Sequence, residues 1–129
     1  MHISKYIVMN EKIMILDDKD SIAKIITSYL KDIYDVVWFD NPLIALKWLR
    51  EGYDIDLVIL DLKMPLMRGD EFLSHLKSDE KLKHIPVIIL SSEDSTTERI
   101  NLLEKGAVDY IVKPFNPMEL KVRIKHILT

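Results

Sequence analysis

The chain has 129 residues, 48% hydrophobic and 30% charged, with a formal net charge of −3 and no cysteine. This is the length of one domain, with apolar content enough for a core that needs no disulfide or metal staple. The missing thiols exclude thiolate zinc, iron–sulfur and disulfide chemistry and fit a reducing cytoplasm, the charge gives no footprint for direct nucleic-acid binding, and no apolar run is long enough to span a membrane.

Residues 1–11, MHISKYIVMNE, lack the unbroken apolar core of a signal peptide and read as an N-terminal extension. The domain proper, 12–129, opens with KIMIL (Lys12–Leu16), which ends on Asp17 and Asp18. Ile22, Ile25, Ile26, Tyr29, Leu30 and Ile33 then recur at three- and four-residue steps, the apolar face of an amphipathic helix. Asp20 or Ser21 is its expected cap. DVVWF, residues 35–39, is a β-type run. Asn41-Pro42 starts a second helix, a capping side chain followed by Pro at the first helical position. That helix buries Ala45, Leu46 and Leu49, and Gly52 ends it. The third apolar run is Ile55–Leu60, closed by Asp61. Gly69 loosens the chain before a helix with Phe72, Leu73 and Leu76 inward. Pro86 opens PVIIL, which leads into Ser91 and Ser92; Pro is permitted at the start of a strand. Ser95-Thr96-Thr97-Glu98 is a capping box. The helix after it has a weak apolar stripe, Ile100 and Leu103 with Leu102 nearby, and closes near Gly106. DYIV, residues 109–112, is a short strand followed by Lys113 and Pro114. Asn116-Pro117 repeats the cap-plus-Pro start for a last helix that buries Leu120, Ile124, Ile127 and Leu128.

The order is (βα)5. Strand runs that are apolar almost throughout imply burial on both faces, as in a parallel sheet covered by helices. Right-handed crossovers leave few topologies, and the flavodoxin-like α/β order 2-1-3-4-5 is the expected one. Ligands of such sheets bind beyond the carboxyl ends of the strands, at the switch between strands 1 and 3. Strand 1 delivers Asp17 and Asp18 there, strand 3 Asp61, strand 4 Ser91 and Ser92, and strand 5 Lys113. Taken singly, each has an ordinary reading: a turn or cap aspartate, a turn serine, a surface lysine. Together they place three carboxylates, a hydroxyl and an ammonium at one edge. Clustered carboxylates stay ionised most cheaply around a hard cation, and all-oxygen ligation suits Mg²⁺. A carboxylate beside Mg²⁺ is poised as a nucleophile toward phosphorus, with metal and lysine to neutralise the moving phosphoryl oxygens. Gly52, Gly69 and Gly106 lie too far apart for a phosphate-cradling loop, which excludes P-loop and dinucleotide-binding readings.

The motifs ILDD (15–18), VILDLKMPLMRG (58–69), IILSS (88–92) and GAVDYIVKPF (106–115) stand in this order. On them, and on their intervals, the chain resembles the receiver domain of two-component response regulators from about Lys12 to Leu128. The resemblance implies a CheY-like fold with Asp61 as phosphoacceptor. The phosphoryl group would come from a phosphohistidine on a sensor histidine kinase or a histidine phosphotransfer protein. It implies that Asp17, Asp18, Asp61 and the backbone carbonyl of Lys63 hold Mg²⁺ (Mn²⁺ as a substitute), Asp18 directly and Asp17 through water. Ser91 would meet one phosphoryl oxygen and Lys113 another, with Lys113–Pro114 cis. Tyr110 would be the switch residue, its ring turning inward as Ser91 shifts. The implied output is a change on the face of the fourth helix, fifth strand and fifth helix. That face would be read by a downstream protein or a linked output domain, and it is also a candidate homodimer surface. No external substrate would be turned over. Both a stand-alone regulator and a receiver segment of a longer protein fit the sequence.

Two positions depart from the family's usual residues. Lys63, two past Asp61, either pairs with Glu93 or is an ordinary surface lysine. Ser92 stands where a smaller residue is usual, which narrows donor entry. Trp38 and Trp48 read as core or edge packing, and Ile22 as core or a kinase contact. His2, His75, His84 and His126 fit no metal spacing. A non-phosphorylated scaffold is disfavoured by the complete set of site residues, a flavin protein by the missing phosphate loop. An aspartate-nucleophile phosphatase is disfavoured by Lys63, which stands where its second aspartate belongs.

Overall fold

Alternating apolar runs and helical periods resolve into ten elements in strict β–α order in a computed structural model that describes residues 10–129. The strands are β1 (Lys12–Leu16), β2 (Asp35–Phe39), β3 (Leu57–Asp61), β4 (Val87–Ser91) and β5 (Asp109–Val112). The helices are α1 (Asp20–Leu30), α2 (Pro42–Arg50), α3 (Gly69–Ser78), α4 (Thr96–Glu104) and α5 (Pro117–Leu128). All strand pairs are parallel, and the sheet order is β2-β1-β3-β4-β5. The (βα)5 topology expected from the sequence is the one observed. Residues 1–9 of the expected N-terminal extension lie outside the described residues. Glu11, its last residue, already touches the sheet: its carbonyl accepts the Asp35 N–H at 3.0 Å. Among the described residues no helix is long and apolar enough to cross a membrane.

β3 and β4 are buried at every position, because helices cover both faces of the sheet. One core layer joins Met14, Leu16, Val58, Leu60 and Ile89 to α2, α3 and Leu102 of α4. The other joins Ile13, Ile15, Ile59, Ile88 and Leu90 to α1 and α5. Successive strand residues therefore alternate between two apolar layers, so no strand shows a polar face.

The helix-start signals act as read for α2 and α5. Asn41 Oδ1 accepts the N–H groups of Leu43 and Ile44, and Asn116 Oδ1 those of Met118 and Glu119. Ser95 Oγ accepts the Glu98 N–H at 3.2 Å. Gly52, at φ +101°, takes the left-handed conformation just after α2 that a side chain would disfavour.

Several expectations need correction. Neither Asp20 nor Ser21 caps α1; Lys19 holds the cap position without a side-chain bond, and Asp20 instead lies in the first turn, where its charge suits the helix dipole. The buried stripe of α1 is Ala23, Ile26 and Leu30. Ile25, Tyr29 and Ile33 stay exposed, because the apolar arc is wider than the strip that faces the sheet. In α4 the expected pair is on the outside: Ile100 is 50% and Leu103 39% exposed, while Leu102 is fully buried. In α5 Leu120 and Ile124 are buried, but Ile127 and Leu128 only half so. The third strand is shifted past the expected Ile55–Leu60 to include Asp61 itself.

Gly69 does not loosen anything. It is the first, buried residue of α3, and a Cβ there would lie 2.4 Å from the Asp61 carbonyl oxygen and 2.9 Å from Leu62 Cα. Only glycine lets α3 start this close to the end of β3.

Candidate functional site

Strand register builds the site. Leu16 pairs with Leu60, so the next residues, Asp17 and Asp61, stand side by side at the switch point. Asp61 pairs with Leu90, and Ser91 follows one step on. Ser91 pairs with Val112, and the Lys113 N–H donates to the Ser91 carbonyl at 2.7 Å. Asp17 and Asp61 leave the sheet at one level, Ser91 one residue beyond Asp61 and Lys113 one beyond Ser91, in a staircase from β3 to β5.

One carboxylate oxygen each from Asp17, Asp18 and Asp61 falls within 4.8 Å of the others. Asp17 and Asp61 are buried, while Asp18 is exposed. Lys113 Nζ donates to Asp17 Oδ2 at 3.0 Å and reaches Asp61 Oδ1 at 3.4 Å. Asp17 Oδ1 accepts the Lys19 N–H at 2.9 Å, so this carboxylate ties down the turn into α1. Asp61 Oδ2 is buried with no hydrogen-bond partner among the described residues. Burial first, and then the Asp17 charge, raise the Asp61 carboxyl above the ordinary aspartate range, against the lowering pull of Lys113 and Lys19. Three carboxylates around one ammonium leave excess negative charge and an unsatisfied buried oxygen. The donor set is all-oxygen and hard, which fits a divalent cation of the Mg²⁺ type.

The loop after β3 is fixed by its own backbone bonds. The Gly69 N–H donates to the Leu62 carbonyl at 2.8 Å and closes its base. Its tip is a three-residue turn in which the Met67 N–H donates to the Pro65 carbonyl at 2.9 Å. The turn is centred on Leu66, at φ +74°.

Ser91 Oγ accepts the Glu93 N–H at 3.1 Å. The Glu93 carbonyl in turn accepts the Tyr110 hydroxyl at 2.7 Å. The Tyr110 ring is buried against the layer that contains Leu102. Ser91 and Tyr110 are thus joined through the backbone of a single residue. Lys63 Nζ and Glu93 Oε1 pair at 3.1 Å, the first of the two readings given for Lys63; both side chains are partly exposed, and such pairs contribute little stability. Ser92 is exposed. The Lys113–Pro114 bond is cis. Trp38 lies at the edge as expected, but its indole N–H also donates to the Asp17 carbonyl at 2.8 Å. Sequence reading missed that contact, the close approach of Gly69, and the Glu93 link. Backbone atoms form all three, and residue identity does not announce them.

The family described as "Response regulator receiver domain" matches residues 13–125. The chain is 36% identical over 120 residues to chemotaxis protein CheY-3 of Vibrio cholerae, covering 92% of each. It is 40% identical over 116 residues to histidine kinase P4 of Formosa agariphila, which takes 90% of this chain but spans only 8% of that kinase. It also spans about half the length of transcriptional regulators that it matches. The solved structure of CheY4 of Vibrio cholerae superposes with a TM-score of 0.84 at 29% identity, covering 93% of this chain and 100% of that one. The family match over residues 13–125, the 2-1-3-4-5 sheet and these relatives agree: the chain belongs to the response regulator receiver domains, the signalling modules of two-component systems.

Proposed function

We propose that Asp61 is the phosphoacceptor of this receiver domain and that Asp17, Asp18, Asp61 and the backbone carbonyl of Lys63 hold Mg²⁺, which Mn²⁺ can replace. The observation that carries this reading is the buried, unpartnered Oδ2 of Asp61 beside two further carboxylates and Lys113. Bound Mg²⁺ supplies charge neutralisation for the carboxylates and for an incoming phosphoryl group.

The protein's own groups divide the remaining work. An Asp61 oxygen attacks phosphorus, the phosphorus–nitrogen bond of the donor phosphohistidine breaks, and the imidazole leaves with the bonding pair. The product is an acyl phosphate on Asp61. Lys113, already directed at Asp61, pairs with one phosphoryl oxygen, and the Ser91 hydroxyl with another. Reaching that oxygen draws Ser91 against its bond from Glu93, and Glu93 carries the displacement to Tyr110. The domain transforms no external substrate. Its donor is a sensor histidine kinase or a histidine phosphotransfer protein in the cytoplasm, in keeping with the kinase among its relatives.

The output face is α4, β5 and α5. Ile100, Leu103, Val108, Met118 and Val122 are exposed there, apolar groups suited to a downstream protein, a linked output domain or a second copy of the chain. The deciding experiment is incubation with a small-molecule phosphoryl donor and Mg²⁺, followed by intact mass. The wild type gains one phosphoryl group and Asp61→Ala gains none. An equal gain in both proteins would remove Asp61 from this role.

A further inference from the structure

Arg99 breaks a local rule. It sits in the first turn of α4, where the helix dipole disfavours a cation. Its partner there, Asp94, is 3.6 Å away and largely exposed, so the pair adds little. Arg99 Nε is nevertheless buried, with no hydrogen-bond partner among the described residues. What the guanidinium does meet is the Tyr110 ring: Cζ lies 5.7 Å from the ring centroid, within the range of a cation–π contact. The same ring is fixed at its other end by the hydroxyl bond to the Glu93 carbonyl. Asp94, on the far side of Arg99, is the residue next to Glu93 in the β4–α4 loop.

From this geometry we infer that Arg99 is a positioning residue for the switch. It holds the Tyr110 ring inward and, through Tyr110 and the Glu93 backbone, ties the position of α4 to the position of Ser91. The inward ring is then favoured by Arg99 independently of any group on Asp61. Modification of Asp61 and the Arg99 contact act on one equilibrium, so their contributions add, and the inward ring that Arg99 favours raises the affinity of Asp61 for the modification. A cation in the first turn of a weakly packed helix has a use here that helix stability alone does not give it. The placement of Ser91 against a phosphoryl oxygen, in the second half of the argument, rests on the function proposed for Asp61; the Arg99–Tyr110 contact does not.

The test uses the full chain labelled with fluorotyrosine, with the Tyr110 signal assigned from Tyr110→Phe and read by fluorine NMR. Arg99→Met keeps the side-chain stem and removes the charge. Its inward-to-outward ratio is expected to fall about two- to fivefold below wild type, with Arg99→Lys in between. Adding Mg²⁺ and beryllofluoride, an acyl-phosphate mimic, should return the Met variant to the inward signal, and its affinity for the mimic should fall by no more than the same factor. A Met variant with the wild-type ratio overturns the inference. So does a variant that binds the mimic and keeps its ring outward. Failure of the wild type to bind the mimic would count against the role of Asp61, while the ratio without the mimic would still decide the role of Arg99.

Discussion

Replacing Gly69 by alanine should damage both the fold and the site, and the size of the effect follows from three distances. The new Cβ would stand 2.4 Å from the Asp61 carbonyl oxygen, where ordinary contact begins near 3.4 Å. About an ångström must be found. β3 cannot give it easily, because its backbone is paired with β1 on one side and β4 on the other. The start of α3 must move instead. That stretches the 2.8 Å bond from the Gly69 N–H to the Leu62 carbonyl and lifts Phe72 and Leu73 from a fully buried layer. The lost hydrogen bond costs about 1 kcal/mol, and forced overpacking about 1–3 kcal/mol. Reduced unfolded-chain entropy returns about 0.4–1 kcal/mol. The net expectation is a loss of about 1–3.5 kcal/mol, or roughly 3–14 °C in melting temperature for a domain of this size. The same shift of α3 pulls on the β3–α3 loop, which carries the Lys63 carbonyl proposed as a metal ligand, so phosphorylation by a small-molecule donor should slow by at least about tenfold under conditions where the variant is folded. Gly52→Ala is the control: its φ is +101° but nothing lies within 4 Å of the new Cβ, so it pays about 1–2 kcal/mol for its backbone and keeps the wild-type phosphorylation rate. Thermal melts and intact-mass time courses on the three proteins decide the matter. A Gly69→Ala protein as stable as wild type, or phosphorylated as fast as Gly52→Ala, refutes the reasoning.

The Asp61 carboxyl is raised by burial and by Asp17, so the folded protein holds that proton more tightly than the unfolded chain does. Wild-type stability therefore falls as pH rises from the ordinary aspartate value through the raised one, and the full cost is present above it. Asp61→Asn escapes that cost: with metal chelated, urea titration at neutral pH should show a gain of about 1–2 kcal/mol, shrinking toward acid pH, and a loss at neutral pH would contradict the assignment. Lys113→Met strands Asp17 Oδ2 and Asp61 Oδ1 without their cation; a fall of about 2–4 kcal/mol is expected, partly restored by millimolar Mg²⁺ in the same melts. Because the Trp38 indole is bonded to the Asp17 carbonyl, Mg²⁺ titration should change tryptophan emission in wild type and in Trp48→Phe but not in Trp38→Phe. A wild-type emission change retained in Trp38→Phe would separate that indole from the acidic site.

Legibility differed between the sheet and its covering helices for a physical reason. A strand buried on both faces leaves little choice of residue, so VILD and VIIL could be placed, ordered and paired from sequence. The site followed, because parallel register fixes which strand ends are neighbours; Asp17, Asp61, Ser91 and Lys113 needed no side-chain geometry to be brought to one edge. Helix faces were read less well. In α1 six apolar residues cover a wide arc, and only packing against the sheet selects Ala23, Ile26 and Leu30 from it. Ala23 was missed because its small side chain carries a weak apolar signal, although smallness is what lets a helix approach a sheet. Gly69 was misread because a lone glycine in a loop has two opposite uses, conformational freedom and close approach, and its spacing from Asp61 does not distinguish them.

The error in α4 has the most consequence for function. Ile100 and Leu103 were expected inside; instead a single side chain, Leu102, fully buried, anchors the helix to the core. The two exposed residues then join the output face proposed above, and the helix is held mainly by Leu102 and by the contacts of its first turn. This predicts an uneven mutational pattern. Leu102→Ala should cost about 2–4 kcal/mol, as a buried cavity does, whereas Ile100→Ala and Leu103→Ala should each stay within about 0.5–1 kcal/mol of wild type. Binding of an output partner or self-association should respond in the opposite order, strongly to Ile100 and Leu103. Equal destabilisation by all three variants in chemical denaturation would mean that α4 packs through the face first expected from the sequence. A helix anchored at one point can pivot about it, and in the function proposed above the displacement passed through Ser91, Glu93 and Tyr110 enters at its N-terminal end. The exposed residues lie beyond that end along the same helix, so a small movement at Asp61 would become a change in the apolar surface presented to a partner.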